Sequence, residues 1–558
     1  MLARASTALD RLREAVGDRL ITVEPVAKPC YSNPGPLDRT QCGDILTNKT
    51  NDIFISNQPG GYFYSNWASC QSLGQGCAIP LSSSRISSNA VCFQGSVPRH
   101  MVNVHSVADI RAAFEYANST RKPLVIKNTG HDWKGRSAAP DSLAVWTHNL
   151  RAPDVPILLN RSFVPEGCSP GRVPSEPVFH FGAGETWGGA YDFAEANNLA
   201  VLGGTCGTVG VSGWLHGGGH SPLTPVYGMG VDNVRQVKVV LPSGEEVTAN
   251  ECQNRHIYFA VRGGGGGTFG VVTNVTYKAL PKTQIQEFTA NLDGLDAAGI
   301  TEFFEILTAN AKSWSESGWG GYIKTNALNH TITILNPDIT ANKVEQDMSP
   351  LIAFCNKINA ICEAKVRSSW YDYYKAYLQP TDAHVGTWSG AVASRLLPPR
   401  VFETESSRKG LVSTLLELHY SNLNLWIMLV TPTRFPHTTT SALHPSWKDA
   451  VWSVRINAKW DQYYDSITPS SNNRQFKKVH EAMEPIRYLA PNVGVSINEA
   501  DIWEKDYEEA FWGAENYASL AKIKAEVDPK NLLSVWQGVG SHETDDQFSC
   551  YPQYVKSF

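Results

Sequence analysis

Two glycine-rich stretches decide the fold: Gly203-Gly-Thr-Cys-Gly-Thr-Val-Gly210 and, upstream, Lys127-Asn-Thr-Gly-His-Asp132. Each stretch follows a short apolar segment and carries one nucleophilic side chain, Cys206 or His131. Glycine has no Cβ and tolerates positive φ, so such loops let backbone N–H groups approach a ligand closely. Alone, His131 is typical of an ordinary buried histidine and Cys206 of a small core residue. Together and in this order, they predict one shared ligand site.

A third glycine run, Gly263-Gly-Gly-Gly-Gly-Thr-Phe-Gly270, lies between a predicted helix and the predicted strand 271–276. Glycine repeats are often flexible linkers, but this position inside a dense segment favours a tight passage of backbone past a ligand. None of the three loops has the phosphate-loop pattern G-x-x-x-x-G-K-[ST] or the strand–helix pattern G-x-G-x-x-G. A nucleotide cofactor is therefore expected to be held by another fold.

Length and composition exclude several classes of protein. A chain of 558 residues is too long for one hydrophobic core, and 42% hydrophobic with 18% charged residues indicates a folded protein. The net charge of −5 argues against a nucleic-acid surface, which needs a basic excess. We find no apolar run long enough to span a bilayer and therefore predict no membrane span. The oligomeric state stays open.

The cysteine count points to the secretory pathway. Eleven cysteines are an odd number, and a bond from Cys206 to a cofactor would leave ten for disulfides. Residues 1–20 read as an amphipathic helix without the apolar stretch of a signal peptide, so the protein is either intracellular or numbered after a removed signal. Disulfides and glycosylation sequons favour a secreted or secretory-lumen glycoprotein. The five sequons begin at Asn48, Asn118, Asn160, Asn274 and Asn329.

The pattern of elements predicts an α+β fold in four segments. Residues 1–94 are rich in Cys, Gly, Ser, Pro and Asn and are predicted to be loop-rich and disulfide-bearing. Residues 95–283 alternate strands and helices, beginning with a helix at 106–118 that Ser106 and Asp109 cap. Residues 284–495 predict an α+β domain with an antiparallel sheet, containing strands at 331–335 and 423–430 and a helix at 301–313. Residues 496–558 form a tail with motifs of its own.

The motifs resemble those of the vanillyl-alcohol oxidase flavoprotein superfamily, in its berberine-bridge-enzyme-like branch, and are most similar to fungal oxidases of that branch. The resemblance covers about residues 95–283 and 494–540. The matching pieces are Gly130-His131-Asp132, Cys206–Gly213, Gly217-Gly218-Gly219, Tyr227–Val234, Arg262–Val271, Trp512–Tyr517 and Asp528–Asn531.

The resemblance implies an oxidoreductase that binds FAD in a two-part domain, the 95–283 segment completed by the 496–558 tail, with the substrate domain above the flavin ring. It implies an 8α bond from His131 and a 6-S bond from Cys206. Two bonds would fix the ring and favour hydride acceptance. The other implied contacts with FAD are Lys127, Asn128, Thr129, Gly130, Asp132, Gly204, Thr205, Gly207, Thr208, Val209, Gly210, Val211, Gly219, Gly270, Val271, Asn516 and Tyr517.

Two departures from plant relatives suggest catalytic residues. Plant relatives often have Tyr after the triple glycine, where this chain has His220, and an Asn-Tyr-x-Asp element, where this chain has Asn498-Glu499-Ala500-Asp501. A carboxylate beside the flavin, Glu499, is a candidate base with a pKa raised by desolvation, and His220 and Asp501 are further candidates. The alternative is that Glu499 or Asp501 makes a structural hydrogen bond and the base lies in the substrate domain.

The predicted activity is an FAD-dependent oxidase. It would abstract hydride from a CH–OH or CH–NH group of a small alcohol, sugar or secondary metabolite, while a side chain removes the O–H or N–H proton and oxygen becomes hydrogen peroxide. Val209, three residues after Cys206, is the small residue type that admits oxygen in the family. One alternative is an oxidative cyclase in alkaloid or other natural-product biosynthesis. Another is a pericyclase that keeps flavin without net redox chemistry. No metal site is predicted.

Overall fold

The computed structural model describes residues 6–554 except 81–88, 170, 172, 174, 327, 380–387, 437–439 and 462–467. Its strands are β1 (Leu20–Thr22), β2 (His100–Asn103), β3 (Leu124–Lys127), β4 (Leu143–Trp146), β5 (Leu158–Phe163), β6 (Glu176–Gly182), β7 (Leu199–Ala200), β8 (Val234–Val240), β9 (Glu246–Asn250), β10 (Val271–Lys278), β11 (Leu280–Pro281), β12 (Ile285–Asp293), β13 (Gly320–Thr325), β14 (Asn329–Asn336), β15 (Ile361–Arg367), β16 (Trp388–Leu397), β17 (Asn424–Leu429) and β18 (Trp452–Asp461).

The helices lie between and after these strands, except the first, which precedes β1. They are α1 (Ala8–Val16), α2 (Arg39–Asn48), α3 (Asp52–Ser56), α4 (Val107–Thr120), α5 (Trp187–Ala196), α6 (Val211–His216), α7 (Thr224–Tyr227), α8 (Arg255–Val261), α9 (Ala297–Ser317), α10 (Ala341–Ile358), α11 (Trp370–Tyr373), α12 (Arg400–Glu403), α13 (Glu405–Tyr420), α14 (Pro469–Ala482), α15 (Glu484–Leu489), α16 (Tyr507–Trp512) and α17 (Ala514–Val527). Within the described residues, none of them is both long and apolar enough to cross a membrane.

Three main sheets organise the chain. A four-stranded sheet has the order β1-β2-β4-β3, in which β4 pairs in parallel with β2 and β3. A five-stranded antiparallel sheet has the order β5-β6-β10-β8-β9. A seven-stranded antiparallel sheet has the order β15-β12-β14-β13-β17-β18-β16. The predicted α+β class and the antiparallel sheet in the second half are confirmed.

Local signals in the sequence account for several elements. Helix α4 begins after Ser106, whose hydroxyl and the Asp109 carboxylate form the predicted capping box. Strands β8 and β9 form a hairpin around the turn Pro242-Ser-Gly244, with Gln236 opposite Asn250. Helix α9 begins after the N-cap Asp296 and ends before Gly318, which has a left-handed φ of 88°. These short-range signals fix where helices start and stop.

The seven-stranded sheet has one apolar face and one polar face. Side chains alternate between faces along a strand, so Ile323 of β13 and Ile427 of β17 point to the face opposite that of Lys324 and Trp426. Ile323 and Ile427 are fully buried in the largest core cluster, which also contains Phe304 of α9. The polar face is therefore left to line a cavity.

The N-terminal segment differs from its prediction. It contains helices α2 and α3, capped by Asp38 and Asn51, where the sequence suggested mainly loop. Its expected disulfides are present. Ten of the eleven cysteines form five disulfides, and the remaining cysteine is Cys206. The pairs are Cys30–Cys42, Cys70–Cys550, Cys77–Cys92, Cys168–Cys252 and Cys355–Cys362.

The C-terminal tail packs against the glycine-rich first half. The Trp512 indole N–H donates to the carbonyl of Gly263 at 2.9 Å, and the Lys524 ammonium donates to the carbonyl of Thr268 at 3.0 Å. Both acceptors belong to the third glycine run. The four segment boundaries drawn from the sequence stay a prediction.

Candidate flavin and substrate site

One cavity brings the first two glycine loops and the polar face of the seven-stranded sheet together. Its volume is about 630 Å³, within the range of small-molecule and cofactor sites. The residues predicted to bind FAD or to act in catalysis that line it are Asn128, Thr129, Gly130, His131, Asp132, Gly204, Thr205, Cys206, Val209, Gly210, Gly219, His220, Gly270 and Glu499.

His131 and Cys206 lie side by side on the cavity wall. The distance from His131 Nε2 to Cys206 Sγ is 3.8 Å. His131 Nε2 lies 2.8 Å from the hydroxyl of Thr208, which itself donates to Asp52 at 3.1 Å. Because the Thr208 proton points to Asp52, Thr208 accepts from His131 Nε2–H, and the lone pair of this tautomer is on Nδ1.

The environment of His131 keeps its imidazole neutral. Burial lowers the pKa of His131 to about 3. Its ring stacks on Phe63 with a centroid distance of 3.3 Å. A neutral imidazole is the form that can attack carbon or bind an electrophilic centre. The site therefore holds two nucleophilic side chains in adjacent, fixed positions.

The glycines of these loops are required by close packing. A Cβ at Gly210 would lie 2.4 Å from the side-chain amide nitrogen of Asn128, closer than real contacts allow. Gly130 and Gly219 have φ values of 86° and 73°, the left-handed region that glycine adopts without strain. The loops thus bring backbone to the cavity surface.

Unpaired polar atoms at the cavity wall fit a polar ligand. Among the described residues, no hydrogen-bond partner is found for the buried Asn128 Oδ1, Asn457 Oδ1 or Arg455 Nε. Buried polar atoms normally have partners, and a bound group can supply them. Asn128 lies on the glycine-loop side of the cavity, whereas Asn457 and Arg455 lie on the sheet side. Both sides therefore present groups that a flavin or a substrate can satisfy.

A buried charge cluster joins the tail to the sheet. The Glu499 carboxylate accepts from Arg455 Nη1 and lies 2.9 Å from His220 Nε2. Burial raises the pKa of Glu499, but the interactions of its carboxylate with Arg455 and His220 outweigh burial and hold the pKa at about 2. The expectation of a raised pKa is therefore wrong, because the sequence does not reveal Arg455, 44 positions upstream.

Asp501 lies outside the cavity lining, in a second buried network. Its carboxylate accepts from Arg487 at 2.7 Å and lies 2.5 Å from His480 Nδ1. Burial raises its pKa, and His480 and Arg487 lower it by more, so the pKa is lowered overall. Arg487 also binds Glu504 at 3.0 Å. This geometry is that of a structural ion-pair network, the alternative weighed for this residue, and it gives Asp501 no contact with the cavity.

Other predicted cofactor residues also lie outside the cavity lining. Lys127 donates to the carbonyl of Gln58 at 3.1 Å, and Asn516 to the carbonyl of Leu443 at 2.8 Å. Tyr517 stacks on Trp512. These contacts hold the loops and the tail in place. The remaining predicted residues outside the lining are Gly207, Thr208, Val211 and Val271.

The sheet side of the cavity is not predicted from the sequence. Its residues come from strands far apart in the chain, and the visible signal is the alternation of polar with apolar residues in β13 and β18. The lining residues on these strands include Tyr322, Lys324, Trp388, Asn424, Trp426, Arg455, Asn457 and Lys459. Three further lining residues that the sequence does not predict, Phe63, Tyr64 and Trp133, lie outside the strands.

Comparisons with known proteins agree with this geometry. A family model described as "FAD binding domain" matches residues 98–250, and one described as "Berberine and berberine like" matches residues 497–540. FAD-linked oxidoreductase OXR2 of Pyricularia oryzae is 31% identical over 570 residues, covering 98% of this chain and 94% of that protein. The chain belongs to the family of FAD-linked oxidoreductases of the VAO and berberine-like type.

Two further relatives extend this picture. FAD-linked oxidoreductase ffsJ of Aspergillus flavipes is 30% identical over 583 residues, covering 95% of this chain and 91% of that protein. The crystal structure of the VAO-type flavoprotein MtVAO615 from Myceliophthora thermophila C1 superposes with a TM-score of 0.84 at 24% identity, covering 99% of this chain and 98% of that one. The family predicted from the motifs is confirmed, and the chain is an FAD-linked oxidoreductase.

Proposed function

We propose that the protein is an oxidase whose FAD is joined to both His131 and Cys206. It would remove hydride from a CH–OH or CH–NH group of a small alcohol, sugar or secondary metabolite and pass the electrons to oxygen, giving hydrogen peroxide. The observation that carries the proposal is the pairing of His131 Nε2 and Cys206 Sγ, 3.8 Å apart on the wall of one cavity. The bound FAD supplies the hydride acceptor and the site of oxygen reduction.

The residues of this chain hold and orient the reactants. The tautomer set by Thr208 leaves a lone pair on His131 Nδ1, the atom available for a covalent bond. The glycine loops bring backbone close to the cofactor. Within the described part of the chain Asn128 Oδ1 has no hydrogen-bond partner, so it can accept a hydrogen bond from the cofactor. Of the other predicted contacts, Asn516 and Tyr517 would act by holding the tail that completes this site. Val209 lines the cavity as a small side chain, which supports access of oxygen.

His220 is the proposed proton acceptor, and Glu499 positions it. The Glu499 carboxylate lies 2.9 Å from His220 Nε2, so it orients the ring with its N–H toward Glu499 and the lone pair on Nδ1. Within the described residues His220 Nδ1 has no partner. A carboxylate with a pKa of about 2 is a weak base but a strong orienting charge. Asp501, outside the lining, is not retained as a catalytic residue.

The covalent attachment is tested with three variants. His131→Ala and Cys206→Ala should each leave flavin attached through the other side chain, and the double variant should release all flavin on acid precipitation. The Cys206 change breaks no disulfide, so folding is expected to persist. Gly410→Ala on helix α13, where an added Cβ has open space outside the cavity lining, is the matched control and should retain covalent flavin. Flavin that stays attached to the denatured double variant contradicts both assignments.

The reaction class is tested with a peroxide-coupled screen of alcohols, sugars and indole alkaloids, combined with product analysis. A simple carbonyl or imine product with stoichiometric peroxide supports the oxidase. A new ring bond favours the oxidative cyclase. Turnover without any bleaching of the flavin under anaerobic conditions favours the pericyclase.

The five disulfides support folding in an oxidising compartment, and we propose that the protein is secreted or resides in the secretory lumen. The sequon residues Asn118, Asn160 and Asn329 are exposed and therefore accessible to glycosylation. Glycosidase treatment of protein from the native host should lower its mass. An unchanged mass with reduced cysteines would point to a cytosolic protein.

A further inference from the structure

The sheet side of the cavity carries cations on neighbouring strands. The register places Lys324 of β13 opposite Trp426 of β17, and Trp426 opposite Arg455 of β18. Residues in direct register share one face of a sheet, so these three side chains form a row across the cavity wall. On β18, Asn457 follows Arg455 by two positions and Lys459 follows Asn457 by two, so both side chains point to the same face as Arg455. All five residues line the cavity.

The two lysines are held over aromatic rings. Lys324 Nζ lies 4.3 Å from the centroid of the Trp426 ring, and Lys459 Nζ lies 4.0 Å from that of the Trp388 ring. Cation–π contacts of this kind fix the direction of an ammonium group without neutralising its charge. Protein atoms surround both lysines, but part of each side chain faces the open cavity, so their ammonium groups remain accessible to a ligand there.

The carboxylates of the cavity wall are already engaged. The lining contains two, Asp132 and Glu499. Asp132 is paired with Arg136, and Glu499 with Arg455. For Lys324 and Lys459, no ion pair is found within the described ranges of the chain. Among the lining residues that the structure describes, the sheet side therefore carries two positive charges that no carboxylate balances.

Without an anion, the protein around Lys324 and Lys459 disfavours the positive charge of both ammonium groups. Burial, followed by the charges of Arg455 and Lys459, lowers the pKa of Lys324 to about 8. Burial and then Arg455 lower the pKa of Lys459 as well. An anion bound between these side chains would relieve the repulsion and gain charge-assisted hydrogen bonds. This end of the cavity is thus complementary to negative charge.

We propose that Lys324 and Lys459 bind an oxyanion group of the substrate, a carboxylate, sulfate or phosphate, on the sheet side of the cavity. The oxidised carbon would then lie toward His131 and Cys206, and Asn457 Oδ1 would accept a hydrogen bond from a hydroxyl or N–H of the same molecule. This substrate class deepens the proposed oxidase function. The orientation of the oxidised carbon toward His131 and Cys206 rests on that proposed function, whereas the binding of the oxyanion depends only on the two lysines.

The test measures binding to the flavin-loaded protein by calorimetry and thermal shift, at constant ionic strength and pH 6.5. The probes are acetate, sulfate and phosphate, with chloride as the reference, and the matched pair indole-3-acetate and indole-3-acetamide. At least one oxyanion should raise the melting temperature relative to chloride, and the three ions separate carboxylate, sulfate and phosphate preference. Indole-3-acetate should bind about 10-fold more tightly than the amide, as expected for a hydrogen bond to a charged group.

Variants assign the effect to the lysines. Lys324→Met and Lys459→Met should each weaken oxyanion binding about 10-fold while leaving amide binding unchanged. Lys409→Met on helix α13, whose lysine pairs with Glu405 outside the cavity, is the control and should change neither. No oxyanion effect in the wild type, or equal weakening of acid and amide, overturns the proposal. Calorimetry requires no turnover, so a failed oxidase assay with intact oxyanion binding refutes the proposed function and not this site.

Discussion

Removal of the Glu499 charge should destabilise the protein by an amount that depends on pH. Glu499 has a side chain that is 9% exposed and bonds both Arg455 and His220. In Glu499→Gln the guanidinium of Arg455 stays buried without its carboxylate, and breaking a buried pair in this way costs about 3–5 kcal/mol. The lowering of the pKa from 4.5 to about 2 corresponds to a similar value, about 3 kcal/mol.

The sign of the pH effect follows from the lowered pKa. A carboxylate with a depressed folded-state pKa contributes its full stability above the unfolded pKa of 4.5 and loses it as pH falls toward about 2. The difference between wild type and Glu499→Gln should therefore shrink from about 3 kcal/mol at pH 7 to about 1 kcal/mol at pH 3. For a chain of this size, the melting temperature of the variant should be about 3 °C lower at pH 7.

The assay is thermal unfolding of both proteins between pH 3 and pH 7. Glu405→Gln, in an exposed pair with Lys409, is the control and should leave the melting temperature close to that of wild type at every pH. A melting temperature of Glu499→Gln equal to that of wild type at pH 7 refutes the assigned ion pair. A difference that grows as pH falls from 7 to 3 refutes the lowered pKa.

Three other substitutions address the cofactor loop, the second ion network and the tail. Gly210→Ala should lower the flavin absorbance per protein severalfold, because the new Cβ meets Asn128, whereas Gly410→Ala on helix α13, outside the cavity lining, should not. Asp501→Asn should lower the melting temperature by up to about 3 °C, because the buried Arg487 loses one of its carboxylate partners, yet keep the visible flavin spectrum, since Asp501 does not line the cavity. Cys550→Ser opens a disulfide that spans 480 residues and should reduce stability by about 2–5 kcal/mol, measured by thermal unfolding without reductant.

The cofactor side of the site was readable from the sequence because its signals are local. The glycines, His131 and Cys206 occur within short stretches, and each follows an apolar strand that fixes the loop's position. The capping box at Ser106 and Asp109 is equally local and was found at the right residues. Asp38, the N-cap of helix α2, is a local signal of the same kind. Because the residues around it have a composition typical of loops, the sequence does not predict this helix.

The substrate side was not readable, because it depends on strand register. Lys324, Trp426 and Arg455 are about 130 residues apart at most along the chain and meet only through the pairing of β13 with β17 and of β17 with β18. A shift of one residue would turn each of them to the opposite face. The partner of Glu499, Arg455, is also distant in sequence, at 44 positions, and for that reason the predicted direction of the Glu499 pKa shift is wrong.

The two faces of this sheet separate stability from substrate recognition. Opposite the row of Lys324, Trp426 and Arg455, the residues Ile323 and Ile427 are fully buried in the main core. Apolar burial on that face and backbone pairing between the strands hold the register whatever the cavity face carries. Because Lys324 and Lys459 belong to no core cluster, the charge of the sheet side can change without removing a core contact, and we expect it to act as an independent determinant of which substrate meets the flavin. Gly203 and Gly210 have no such freedom, since an added Cβ would collide with Trp187 and Asn128, respectively.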